Sequence, residues 1–180
     1  MKRPVVLVGH SYGGHVISGA AIGHHNVKAL VYVAAFAPEA GESAIDLSEK
    51  FPGSTPGPTP ADPVALPDGG HDLYIEQTKF RKQFAGDLPL KEAKRMAASQ
   101  RPVAEAAPKE PAGEPAWETI RRSLCTATHK NIPPKALKWM AERAKSKVTV
   151  VVKGGSHVAM VSHPDIVAVL TEKAAKAASN

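Results

Sequence analysis

Val5-Val6-Leu7-Val8-Gly9-His10-Ser11-Tyr12-Gly13-Gly14 holds a strand, a turn and the start of a helix in chain order. The unbroken apolar run 5–8 has the pattern of a strand buried on both faces of a parallel sheet, and it stops at Gly9. From Gly13 small residues dominate, with Val16, Ile17, Ala20 and Ala21 at helical spacing. Between the two lies G-x-S-x-G. A serine in so tight a strand-to-helix turn stands clear of the sheet. Glycines are expected at both flanks, Gly9 and Gly13, because a Cβ there would collide with neighbouring backbone. The helix N-terminus just beyond brings partial positive charge, and the Tyr12 N–H is expected to point at a developing oxyanion.

Working outward, a second strand-like run at 27–36 follows the helix. The crossover is long enough for parallel pairing, which predicts an α/β sheet rather than a hairpin protein. The alternation resumes near the other end. A weak strand at 123–128 precedes a helix announced by Pro133-Pro134 and carried by Leu137, Met140, Ala141 and Ala144. A last strand at 147–152 is broken by Gly154-Gly155, and a terminal helix begins around Ser162, Pro164 and Asp165. The middle differs. Residues 52–70 carry six prolines and four glycines, 76–100 read as two short amphipathic helices broken at Pro89, and 101–115 carry four more prolines. No strand is expected between 42 and 116, so this stretch reads as a helix-and-loop insertion lying over the sheet.

Composition bounds the class. The 180 residues suffice for one domain with a full core, and 43% hydrophobic with 22% charged residues excludes a disordered or collagen-like chain. Sixteen prolines and fourteen glycines exceed the ordinary share, and the middle segment holds much of the excess. The single cysteine, Cys125, forms no intrachain disulfide, and no charged-then-apolar leader opens the chain. No apolar run nears the ~18 residues of a membrane span, so a cytoplasmic protein without a membrane partner is expected. The net charge of +6 comes from Lys and Arg scattered at helix-surface spacings without aromatic interleaving, which points to a solvated face and not to nucleic-acid binding.

Serine alone is a weak nucleophile and needs a base. Of the eight histidines, His157 stands directly after the last strand and before the terminal helix, where a side chain reaches the C-terminal edge of a parallel sheet. His10 and His15 lie on the turn and its helix, His24 and His25 in a helix-to-strand loop, and no metal-ligand spacing appears, so neither a metal nor another cofactor is expected. His10, next to the serine, is a candidate substrate-binding residue.

Five stretches carry a family resemblance: 5–14 above, Ala34-Ala35-Phe36-Ala37-Pro38, Ile132-Pro133-Pro134, Met140-Ala141-Glu142-Arg143-Ala144, and Ser156-His157-Val158-Ala159-Met160-Val161-Ser162-His163-Pro164. They resemble small bacterial esterases of the α/β-hydrolase fold, similar to the plant methyl esterase and hydroxynitrile lyase group. The resemblance implies a partial α/β-hydrolase fold whose mostly parallel sheet starts at the nucleophile strand. It implies three parts: a nucleophile-elbow half at 1–41, a cap insertion at 42–116, and a C-terminal core part at 117–180 carrying the catalytic histidine. It further implies a serine hydrolase of small carboxylic esters that works through an acyl-enzyme without metal, with Ser11 as nucleophile, His157 as base and the Tyr12 N–H as one oxyanion donor.

Two departures from the family pattern bear on activity. The triad acid is expected just before Ile132-Pro133, yet His129 or Lys130 stands where an Asp belongs; Glu39 and Glu42, in the loop after the second strand, are candidates for a displaced acid. The four strands that precede the nucleophile strand in the family, with the loop carrying the other oxyanion N–H, are not in this sequence, which leaves the first strand as an edge expected to self-associate. Two readings therefore stay open. One is a weak ester hydrolase, since loss of the acid in serine proteases costs ~10⁴ in turnover. The other is a non-catalytic pseudo-hydrolase or fragment acting as a binding or assembly module. Lyase chemistry on the same scaffold also stays open.

Overall fold

The computed structural model describes residues 3–51, 61–127 and 131–178. Part of the proline-rich stretch (52–60) and the segment holding His129 and Lys130 (128–130) lie outside the described residues. Strand β1 (Val5–His10), helix α1 (Gly13–Ala20) and strand β2 (Val27–Val33) follow in the expected order. The second strand is shorter than its apolar run, because Ala34 takes a left-handed φ of 44° and turns the chain away from the sheet. Next comes α2 (Ala44–Glu49), opened by a capping box in which Ser43 Oγ accepts from the Asp46 N–H and the Asp46 carboxylate accepts from the Ser43 N–H.

The middle segment corrects one expectation. It contains three short strands, β3 (Val64–Ala65), β4 (His71–Leu73) and β5 (Val103–Ala104), which form their own antiparallel sheet. At two or three residues each they are too short to show a period of two, and their pairing partners lie up to about thirty residues away, so no local pattern announces them. The two amphipathic helices are present as α3 (Gln77–Phe84) and α4 (Leu90–Ser99), separated at Pro89. Their apolar faces meet each other, with Phe80, Ala85, Leu88, Ala93 and Ala97 buried together with Val158 from the far end of the chain.

The core resumes with β6 (Arg121–Ala127), α5 (Pro134–Arg143), β7 (Thr149–Val152), the four-residue α6 (Ala159–Ser162) and α7 (Pro164–Ala178). The main sheet has the order β1-β2-β6-β7 and every pair is parallel. β2 is central and buried, and its alternation sorts the core into two layers. Leu30 and Tyr32 face the side covered by α1 and α5, with Ile17, Leu137 and Met140. Ala29, Val31 and Val33 face the other side, against Leu170 and Ala174 of α7. β1 pairs only with β2 among the described residues, and Val8 on it is 47% exposed. No described helix is long and apolar enough to cross a membrane.

Candidate active site

The parallel sheet delivers β1 and the chain after β7 to the same end, and the turns there do the positioning. Ser11 has a φ of 54°, a left-handed conformation that costs a non-glycine residue about 1–3 kcal/mol and persists only where the surroundings enforce it. Three backbone hydrogen bonds enforce it: Ser11 N–H donates to Val33 O at 3.3 Å, while Ser11 O accepts from Gly14 N–H at 3.0 Å and Phe36 N–H at 3.1 Å. The turn after β2 therefore serves the serine directly.

The glycine requirement falls differently from the motif. A Cβ on Gly9 would lie 2.5 Å from Gly13 O, as expected, but nothing stands within 4 Å of a Cβ on Gly13. The second crowded position is Gly14, where a Cβ would lie 2.2 Å from Phe36 O and 2.8 Å from Ala35 Cβ. The helix must approach the end of β2 this closely for Ser11 O to reach the Phe36 N–H. Deeper along α1, the Ser18 hydroxyl donates to Gly14 O at 2.8 Å and accepts from the Tyr32 hydroxyl at 2.9 Å, and burial pushes the Tyr32 phenol up to about 12.

His157, 2% exposed, is brought to the serine by the turn after β7. Gly154 supplies a φ of 75°, and Gly155 packs where a Cβ would lie 2.8 Å from Val152 Cγ1. The result is a contact of 2.8 Å between Ser11 Oγ and His157 Nε2, across 146 positions of sequence. With the imidazole neutral and its proton on Nδ1, the serine hydroxyl donates to Nε2, the direction that general-base activation needs. Tyr12 is the residue before the first turn of α1, at φ −59° and ψ −25°, so its N–H belongs to the unpaired amides of the helix start. Its ring stacks on His15 at 5.1 Å, and burial followed by the nearby Glu110 charge raises its phenol.

His10 also comes to this point, in a role beyond that of a lining side chain. Its Nε2 lies 2.8 Å from His157 O, and because a carbonyl only accepts, His10 carries its proton on Nε2. Its ring centroid is 4.7 Å from that of His157, and burial lowers its pKa against the raising effect of that same hydrogen bond. Glu39 and Glu42 are committed elsewhere. Arg143, 13% exposed at the end of α5, donates to both Glu42 oxygens at 2.9 and 2.8 Å and to Ala37 O at 2.8 Å, and its Nε lies 3.4 Å from Glu39 Oε1. A largely buried guanidinium needs this counter-charge, and both carboxylates pair with it.

Ser11 and His157 open into a cavity of about 840 Å³. Its walls come from the sheet end (Phe36, Ile132), from α2 (Ile45) and from the middle segment (Leu73, Tyr74, Phe80, Phe84, Met96), so it is mainly apolar with a few polar groups, the usual character of a small-molecule site. Two residues with no signal in the sequence bear on the placing of His157. Phe84 closes over His157 and His10, at 4.7 and 6.3 Å between ring centroids. Asp87, in the turn between α3 and α4, accepts from the Ser156 N–H at 2.9 Å. Their segment reads locally as a helix end and an Asp-containing turn, which carries no hint of what it touches across the fold. Among the described residues no group of three His, Cys, Asp or Glu is placed to hold a metal ion.

Comparison with known proteins gives the same architecture. Polyneuridine aldehyde esterase superposes with a TM-score of 0.74 at 18% identity, covering 95% of this chain and 72% of that one. Tomato methylketone synthase I, in its complex with 2-tridecanone, superposes with a TM-score of 0.72 at 20% identity, covering 96% of this chain and 71% of that one. At these identities the likeness is one of fold, and this chain spans about seven-tenths of each. A carbendazim hydrolyzing esterase from Nocardioides sp. (strain SG-4G) is 51% identical over 47 residues, which are 26% of this chain and 19% of that protein. The model of the alpha/beta hydrolase family matches residues 1–170, the span that runs from the first strand through the serine turn and His157 into α7, and the chain belongs to that family.

Proposed function

We propose that this protein hydrolyses small carboxylic esters through a serine nucleophile and an acyl-enzyme. The observation that carries the reading is the 2.8 Å contact between Ser11 Oγ and His157 Nε2, made by a serine held at a strained φ of 54°. Ser11 Oγ attacks the ester carbonyl carbon as His157 Nε2 takes its proton. The Tyr12 N–H stabilises the oxyanion of the tetrahedral intermediate, and His157 returns the proton to the departing alkoxide. Water, deprotonated by the same imidazole, then cleaves the acyl-enzyme. The mainly apolar cavity suits a neutral ester, and the esterase names among the relatives support the same class. Because the sequence carries no carboxylate at 127–133, slow turnover is expected.

Labelling with a fluorophosphonate tests the reading. Stoichiometric labelling of the protein, lost in Ser11→Ala, with p-nitrophenyl acetate hydrolysis abolished in His157→Ala, supports it; a folded protein that neither labels nor hydrolyses overturns it and leaves the non-catalytic alternative.

A further inference from the structure

The backbone around His157 is gripped from two sides. On the sheet side the His10 Nε2–H donates to His157 O at 2.8 Å; on the other, the Ser156 N–H donates to Asp87 Oδ2 at 2.9 Å, 69 positions away in the turn between α3 and α4. Ser156 Oγ in turn accepts from the Val158 N–H at 3.3 Å, and Val158 is buried among the apolar residues of α3 and α4. The two polar grips bracket the one residue whose ring nitrogen meets Ser11.

We propose that Asp87 is a positioning residue: through the Ser156 peptide it fixes the His157 imidazole against Ser11, and so makes the proton-transfer geometry depend on the seating of α3 and α4. The inference rests on His157 being the base. Burial raises the Asp87 carboxyl, but the hydrogen bonds it accepts, those from Ser156 first, outweigh it and hold the group below its ordinary value. Its side chain is 15% exposed, and Oδ1 is buried with no hydrogen-bond partner among the described residues. An apolar residue of similar shape would serve the α3–α4 packing as well. What an apolar residue cannot do is accept the Ser156 N–H. His163 Nε2, 3.8 Å from Oδ2, is the other charge-bearing group beside it.

Asp87→Ala and Asp87→Asn separate this role from a structural one, because the Asn amide oxygen still accepts from the Ser156 N–H. A base displaced by about an ångström loses roughly 10²-fold in rate. Asp87→Ala is expected to lower kcat for p-nitrophenyl acetate about 10- to 100-fold with KM changed less than about twofold and the protein folded at the assay temperature, although the unpaired Ser156 N–H lowers the melting temperature. Asp87→Asn is expected to recover most of kcat. Faster hydrogen exchange at the Ser156 amide and moved His157 ring resonances in Asp87→Ala complete the expected result. Wild-type kcat in Asp87→Ala, or equal losses in both variants that follow a fall in melting temperature, overturns the proposal. If wild type neither labels nor hydrolyses, the esterase reading fails by itself, and unmoved His157 ring resonances in Asp87→Ala then overturn the positioning role independently.

Discussion

The Phe84 ring at the end of α3 meets the His157 imidazole with 4.7 Å between centroids and 66° between planes, an edge-to-face contact that shuts the base away from water. Such pairs contribute about 0.5–1.5 kcal/mol beyond the area they bury. In Phe84→Ala the imidazole gains solvent and rotational freedom, so kcat/KM for a neutral ester is expected to fall about tenfold, equivalent to ~1.4 kcal/mol of transition-state stabilisation. Phe84→Leu, which keeps most of the apolar cover, is expected to lose less than about threefold. Steady-state kinetics on the pair decides it, and equal activity of Phe84→Ala and wild type would show that the contact is idle.

Two neighbouring glycines give opposite predictions. In Gly14→Ala the new Cβ meets Phe36 O, a backbone atom with little room to move, and the variant is expected to lose 3 kcal/mol or about that amount, the upper end of overpacking costs. In Gly13→Ala nothing lies within 4 Å of the Cβ and the residue is the first of α1, so stability is expected to hold or to rise by about 0.4–1 kcal/mol. Urea denaturation of the two variants reads the difference directly. A tolerated Gly14→Ala would mean that α1 does not lie as close to β2 as described.

The same glycines show what the sequence could and could not say. The motif marks Gly9 and Gly13, whereas crowding falls on Gly9 and Gly14, because the second constraint comes from Phe36 in another segment. Strands buried on both faces, such as β2, are legible as continuous apolar runs. β6 is less so, since it opens with Arg121 and Arg122, whose side chains reach backbone carbonyls at Ala177 and Ala144. Ser11 and His157 are legible because each sits at a turn that follows a strand, and a parallel sheet sends both turns to one end. Phe84, Asp87 and the role of His10 are not legible. Each depends on a contact between segments more than sixty positions apart, and nothing in the local pattern of either partner encodes it.

Arg143 predicts a specific acid sensitivity. Burial raises the Glu42 carboxyl, but the Arg143 hydrogen bonds, the Glu39 N–H and the Arg143 and Lys50 charges outweigh it and hold the group below its ordinary value of 4.5. A carboxyl depressed in the folded state contributes stability that is present above its unfolded pKa and lost as the pH falls through the folded one. Folding stability is therefore expected to decline below about pH 4.5 partly through Glu42, and Glu42→Gln is expected to flatten that decline while lowering stability at pH 7. Arg143→Met, which leaves Glu42 without its partner at the Trp139 face, is expected to cost about 2–3 kcal/mol at pH 7, less than the ~3–5 of a fully buried pair. Denaturation across pH 3–8 for the three proteins is the measurement, and parallel curves would remove Glu42 from the acid transition.

The outer edge of β1 predicts self-association. Its far side carries amides and carbonyls with no strand partner among the described residues, and Val8 on β1 and Val16 on α1 are 47% and 51% exposed. A long apolar edge of this kind is a template for strand addition, and natural sheets defend such edges with charge. A second copy of the same edge supplies a partner without further change, so sedimentation is expected to show concentration-dependent dimers or larger species. Val8→Lys places a charge at the middle of the edge and is expected to shift the protein towards monomer with its far-UV spectrum and fluorophosphonate labelling intact, because the Val8 side chain is half exposed and Ser11 lies beyond the strand end. A wild-type protein that stays monomeric at high micromolar concentration would show that the twist of β1 or the side chains beside it already protect the edge.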